Sequence, residues 1–178
     1  MISSRALLAE LLAAGMLPGG ALLPGTAAEI RRRPETHWCS EIPATPQTQV
    51  SNAHFMRLLS EVAAGWKSGD AGQAAACFTE DAVYAAAGDT IAHRGRAELF
   101  EFFGGERGSP TPMLMTWHHY AFDVQSQIGF GGYTFRYQGS QSHGVVVLLL
   151  RAGRIARWRE YEFVSRQSWA KVTEANPF

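Results

Sequence analysis

Residues 114–163 read LMTWHHYAFDVQSQIGFGGYTFRYQGSQSHGVVVLLLRAGRIARWREYEF, and this stretch decides the fold. Long runs of β-branched and aromatic residues are broken only around Gln125, at Gly139-Ser140 and at Ala152-Gly153. The pattern predicts strands over Leu114–Asp123, Gln127–Gln138, Ser142–Arg151 and Arg154–Phe163. Connections this short join strands that run antiparallel, so the segment is expected to form a meander. Gly129, Gly131 and Gly132 lie inside the second strand, where glycine weakens pairing and permits a bulge or a bend.

Upstream the period changes from two to 3.6. Phe55, Leu58, Leu59, Val62, Ala63 and Trp66 follow helical spacing, which predicts an amphipathic helix from Asn52 to Ser68. Asp70 can cap a second, shorter helix presenting Ala74, Cys77 and Phe78 to the core. AVYAAA (residues 82–87) is a short strand candidate. After a glycine turn, GRAELFEFFGG (95–105) is a helix with Leu99, Phe102 and Phe103 on one face. Helices followed by an antiparallel meander make an α+β domain with the helices on one face of the sheet.

The chain has 178 residues, enough for one ordinary domain, and 46% of them are apolar, enough for a sizeable core. Lys and Arg total 16 and so do Asp and Glu, giving zero net charge, so no nucleic acid partner is expected. Cys39 and Cys77 are too few for a disulfide scaffold and lack the paired spacing of a zinc site. Residues 1–28 have the outline of a secretory signal, but Glu10 and Pro18 interrupt the apolar run, which is too short for a stable membrane span. The segment is either a cleaved signal, placing the protein outside the cytoplasm, or a dispensable extension of a cytoplasmic protein. Residues 29–50 are proline-rich and aperiodic, a linker or surface strap. The domain is expected over 51–170 and a short tail over 171–178, with Trp169 to Phe178 forming a half-turn or a loop.

Three blocks, AAGWKSGDAGQAAACFTEDAVY (63–84), HRGRAELFEFF (93–103) and GRIARWREYEF (153–163), are similar to the nuclear transport factor 2-like superfamily and, within it, the SnoaL-like group. The resemblance covers roughly residues 51 to 165. It implies a cone-shaped barrel, a strongly curved antiparallel or mixed sheet wrapped around N-terminal helices, of the nuclear transport factor 2-like or cystatin-like kind. Such scaffolds host isomerases, dehydratases, epoxide hydrolases, cyclases and binding modules, so function has to be argued from the site.

Against the limonene-epoxide hydrolase pattern, Tyr84, Arg136 and Glu160 fall at matching positions, with Trp158-Arg159-Glu160 replacing a Trp-Arg-Asp motif. Gln138 stands where that pattern has a carboxylate, and Ala86 where it has asparagine and ketosteroid isomerase has its base. The resemblance therefore implies a partial acid/base constellation. Glu160 would be its principal acid or base, Arg136 its electrostatic stabiliser and Tyr84 a hydrogen-bond donor. Alternation puts Thr134, Arg136 and Gln138 on one strand face and Trp158, Glu160 and Glu162 on another. If both line one interior, a carboxylate sits among aromatic walls, its basicity raised by desolvation and lowered by a nearby guanidinium. A structural ion pair of Glu160 with Arg136 is the bland alternative.

His118 and His119 are adjacent, so on a regular strand they face opposite ways, and a two-histidine metal pair needs a bulge. Similarity to scytalone dehydratase suggests His118 as the inward proton partner; a histidine bonded within the sheet is the alternative. His54, His93 and His143 are read as surface residues. Trp66, Trp117, Tyr120, Phe130, Gln138 and Trp158 are the candidate lining of an apolar pocket for a small hydrophobic molecule. No metal and no nucleotide or other cofactor is implied. The expected function is cofactor-independent acid/base catalysis, as a hydrolase, isomerase, dehydratase or cyclase. The alternative is a non-catalytic ligand-binding or dimerisation module. An apolar sheet face makes a homodimer the expected assembly.

Overall fold

The computed structural model of the chain describes residues 49–86 and 92–175, all within one compact unit that runs from Pro46 to Phe178. The signal-like segment, the linker up to residue 48, part of the glycine turn after Ala86 and the last residues of the tail lie outside the described residues.

Helix α1 (Asn52–Ser68) begins where Ser51 accepts the His54 amide and ends at Gly69, whose φ of 75° suits a residue without Cβ. It buries Phe55, Leu58, Leu59, Val62 and Trp66, the expected stripe with Ala63 at its edge. Asp70 caps α2 (Ala71–Ala76) by accepting the Gln73 amide at 2.8 Å. The chain then turns directly into β1 (Phe78–Ala85), so Phe78 is a buried strand residue rather than a helical one. A two-residue strand, β2 (His93–Arg94), leads into α3 (Arg96–Phe102), with Leu99 and Phe103 buried and Phe102 half-buried.

The meander follows: β3 (Leu114–Asp123), β4 (Ile128–Tyr137), β5 (Ser140–Arg151) and β6 (Arg154–Val164). The hairpins β4–β5 and β5–β6 turn on Gln138-Gly139 and Ala152-Gly153, both residues of each pair having positive φ. That is the backbone twist a two-residue antiparallel loop needs. Residues 169–173 form a short helix, α4 (Trp169–Thr173), capped by Ser168.

The strands make one mixed sheet of six in the order β2-β1-β6-β5-β4-β3, with only the β1–β6 pair parallel. The architecture is α+β as expected, but the sheet is open: β2 and β3 are its edges, and the barrel does not close. The inner face carries Tyr84, Trp158, Val146, Leu148 and Tyr133, packed with the helices into the buried core. Gly129 and Gly131 allow this close packing. A Cβ at Gly129 would stand 2.6 Å from the Phe55 ring, and one at Gly131 would stand 2.7 Å from the Trp117 ring. The register shift expected near these glycines lies on the partner strand instead, between Trp117 and His119 of β3.

Candidate functional site

Parallel pairing of β1 with β6 sets Tyr84 opposite Trp158, and alternation along β6 brings Glu160 to the same face. Glu160 is 3% exposed, an unusual position for a carboxylate unless it is partnered. Its Oε1 accepts the Tyr84 hydroxyl at 2.5 Å and the Trp158 indole N–H at 2.8 Å. The Tyr84 and Trp158 rings lie parallel, 5.6 Å apart, while Trp66 and Trp117 meet Trp158 edge-on at 5.8 and 6.2 Å. The buried carboxylate is therefore oriented by two aromatic donors inside an aromatic wall.

A second carboxylate lies two residues further on, at the exposed end of the same face. Glu162 Oε2 accepts the Tyr133 hydroxyl at 3.1 Å and the Ser142 hydroxyl at 2.7 Å. Burial, together with the negative charges of Glu160 and Glu162, raises the Tyr133 pKa far above the ordinary tyrosine range, so its phenol stays a donor. Tyr133 and Ser142 escaped the sequence reading. The register that sets Tyr133 against Gly144, and Gly144 against Glu162, is a cross-strand fact.

The structure does not bring Arg136 to this site. Tyr133 and Phe135 occupy the inner face of β4, so Thr134 and Arg136 point outward; Arg136 is exposed and donates through Nε to Gln141 Oε1 at 2.9 Å. Two strand faces expected to line one interior lie on opposite sides of the sheet. Gln138 sits at the tip of the β4–β5 turn, exposed, with its amide donating to the Tyr137 hydroxyl.

His118 is also on the outer face, not inward. The β3 irregularity interrupts alternation, and the Trp169 ring contacts both His118 and His119. Despite that shared side, no group of three or more potential metal ligands occurs among the described residues. His143, expected at the surface, is fully buried, and His54 is half-buried with Nε2 donating to the Gly153 carbonyl. His93 is half-buried and stacked on Phe102 at 3.9 Å.

Of the candidate lining residues, Trp66 and Trp158 are buried and Trp117 is half-buried, its indole N–H donating to the Leu59 carbonyl. Tyr120 is exposed near the β3 edge. Phe130 is exposed on the outer face with Val145, Val147, Tyr161 and Phe163. On that outer side a shallow depression of about 320 Å³ is lined by Val145, Tyr161, Phe163 and Trp169, with Gly144 and Glu162 beneath. No helix among the described residues is long and apolar enough to cross a membrane.

A family model described as a SnoaL-like domain matches residues 59–158. No curated protein matches the chain. Among solved structures, a cystatin-like-fold protein of Methylobium petroleophilum PM1 is 19% identical with a TM-score of 0.53, over 68% of this chain and 82% of that one. A ketosteroid isomerase, so described provisionally, from Kribbella flavida is 16% identical with a TM-score of 0.53, over 65% and 82%. An epoxide hydrolase of the limonene-epoxide-hydrolase-like type from Mycobacterium tuberculosis is 18% identical with a TM-score of 0.50, over 62% and 84%. At these identities the likeness is one of fold.

Proposed function

The chain belongs to the SnoaL-like domain family, and on that premise we propose that it is an acid/base enzyme acting on a small, largely hydrophobic molecule, with Glu160 as the group that moves the proton. One observation carries this reading. A carboxylate 3% exposed is held by Tyr84 and Trp158 on a single oxygen inside an aromatic wall. A carboxylate fixed in orientation by two donors is aimed at one direction of proton transfer, which a freely rotating one in solvent is not. Tyr84 and Trp158 position the carboxyl group, and Trp66 and Trp117 supply apolar surface beside it. Arg136 and His118, on the other side of the sheet, have no part in this proton transfer.

A second reading, a binding module without turnover, draws on the tightness of the packing. Tyr84, Trp158 and Tyr133 are each buried around Glu160. Glu160→Gln separates the two. The amide keeps an acceptor for Tyr84 and Trp158 and loses the base. In an enzyme its thermal stability between about pH 5 and 8 stays within roughly 1 kcal/mol of wild type. Turnover on a panel of hydrophobic epoxides and ketosteroids, the classes named by the fold neighbours, falls at least about a hundredfold. Destabilisation by roughly 3–5 kcal/mol, the scale of a buried charge pair losing a partner, makes Glu160 structural and sinks the enzymatic reading.

We infer also that the outer sheet face pairs with a second copy of the chain. Ile128, Phe130, Val145, Val147, Tyr161 and Phe163 are all exposed on that face, an apolar patch of the kind that marks association. Light scattering on an eluting column is expected to give a dimer at micromolar concentration and a monomer for Phe130→Glu. A wild-type monomer overturns the pairing.

A further inference from the structure

On the face of the sheet away from Glu160, three side chains and a carbonyl form one hydrogen-bonded line. His143 Nε2 lies 2.9 Å from the Gln167 carbonyl, His143 Nδ1 lies 2.9 Å from Thr134 Oγ1, and Thr134 Oγ1 lies 2.7 Å from His118 Nε2. A carbonyl can only accept, so in neutral His143 it is Nε2 that carries the hydrogen, and Nδ1 accepts from the Thr134 hydroxyl. The hydroxyl oxygen in turn accepts from His118 Nε2–H. All the hydrogens then point one way, from half-buried His118 to fully buried His143 and on to the segment entering α4.

That segment closes over the line. The Trp169 ring stacks on His118 with centroids 4.4 Å apart and planes 11° from parallel, meets His143 edge-on at 5.7 Å and lies 6.2 Å from His119. Gly132 lies beneath it, where even a Cβ would stand 3.4 Å from the indole, in ordinary contact. The other tie at this point is Gln141, whose amide donates to the Ser165 and Gln167 carbonyls. Lys171 and Glu174 of the C-terminal segment pair with each other.

An added proton fits this arrangement poorly. On His118 it makes an imidazolium facing His119 on its own strand, Arg136 on β4 and His143 on β5, under an aromatic cover. Burial first, and then each of these neighbours, disfavours that charge.

We propose that α4 is a proton-sensitive latch: Trp169 stays closed over the His118–Thr134–His143 line while His118 is neutral and opens when His118 takes up a proton. Opening removes one wall of the outer-face depression, which Trp169 supplies. The docked state binds the proton more weakly than the undocked state, where His118 regains solvent. Docking is therefore at full strength above the ordinary imidazole value of 6.5 and weakens as the pH falls from there towards the lowered docked value.

Hydrogen exchange of the full chain tests the latch, with rates corrected for the intrinsic effect of pH and referred to β5 as an internal standard. Between about pH 8 and 5, protection of residues 168–173 is expected to fall severalfold, because the undocked state binds the proton more tightly than the docked one. In His118→Gln, which keeps a donor for Thr134 and cannot become charged, most of that fall disappears. Protection that stays constant in the wild type overturns the proposal. So does protection that grows in acid, which would mean that imidazolium–indole attraction dominates. An undiminished fall in His118→Gln overturns it too. Imidazole nitrogen resonances of the wild type make the test independent of how the variant folds. His118 and the Trp169 indole must change over one pH range, and separate midpoints overturn the latch.

Discussion

Glu160 and Cys77 are two buried ionisable side chains with different partners. Glu160 is buried but holds two donors, so removing one of them is costly. Tyr84→Phe is expected to lower stability by about 1–3 kcal/mol, read from the urea midpoint at unchanged slope, because a buried acceptor loses a partner and nothing replaces it. A midpoint equal to wild type would mean that the hydroxyl does nothing for the carboxylate. Cys77 is buried beside Glu61, and burial together with that carboxylate pushes its thiol up to about 11. It is expected to resist alkylation at about pH 8 in the native protein and to react once the chain is unfolded, as peptide mass spectrometry would show. The site is only partly legible at this scale. Tyr84, Trp158 and Glu160 stand out as residue types in a motif, whereas Tyr133, Ser142 and Glu162 become a unit only through pairing across strands.

Helices and strands were legible from periodicity because their signals are local. Helix α1 occupies Asn52–Ser68, and β3 occupies Leu114–Asp123, the ranges that spacing predicts. Phe78 went to a strand because the helix before it stops at Ala76, too short to carry its apolar face further. The glycines of β4 and of the turn that follows it have two different duties that one letter does not distinguish. Gly131→Ala is expected to cost about 1–3 kcal/mol, since its Cβ would fall against the Trp117 ring. Gly139→Ala meets nothing within 4 Å and should lose only about 1 kcal/mol, through its φ of 78°. Equal losses in thermal unfolding would refute the distinction. In the same turn, Gln138→Asn is expected to gain about 0.5–1 kcal/mol, because asparagine tolerates the left-handed conformation that Gln138 adopts at φ 50°. A lower melting temperature would show that the Gln138–Tyr137 contact outweighs the turn preference.

Across the whole described unit, the sheet separates two kinds of surface. Its inner face, packed with the helices, holds a buried carboxylate; its outer face holds exposed apolar side chains and a histidine line under a short helix. The proposed association and latch share that outer face through Val145, Tyr161, Phe163 and Trp169. A dimer that buries this depression should therefore weaken where α4 opens, and the dimer fraction should fall between about pH 7 and 5 in wild type and less in His118→Gln. Insensitivity to pH in sedimentation would uncouple the two. The sequence by itself determined the α+β class, the order and bounds of most elements, and which residues share a strand face, because helical and strand periods are properties of neighbouring residues. Only the tertiary structure decided which face of β4 looks inward, and so put Arg136 outside. It also decided that an irregularity in β3 brings His118 and His119 under one indole, and that His143 is buried. Those outcomes depend on register and on where α1 packs, and both are set by contacts between residues far apart in the chain.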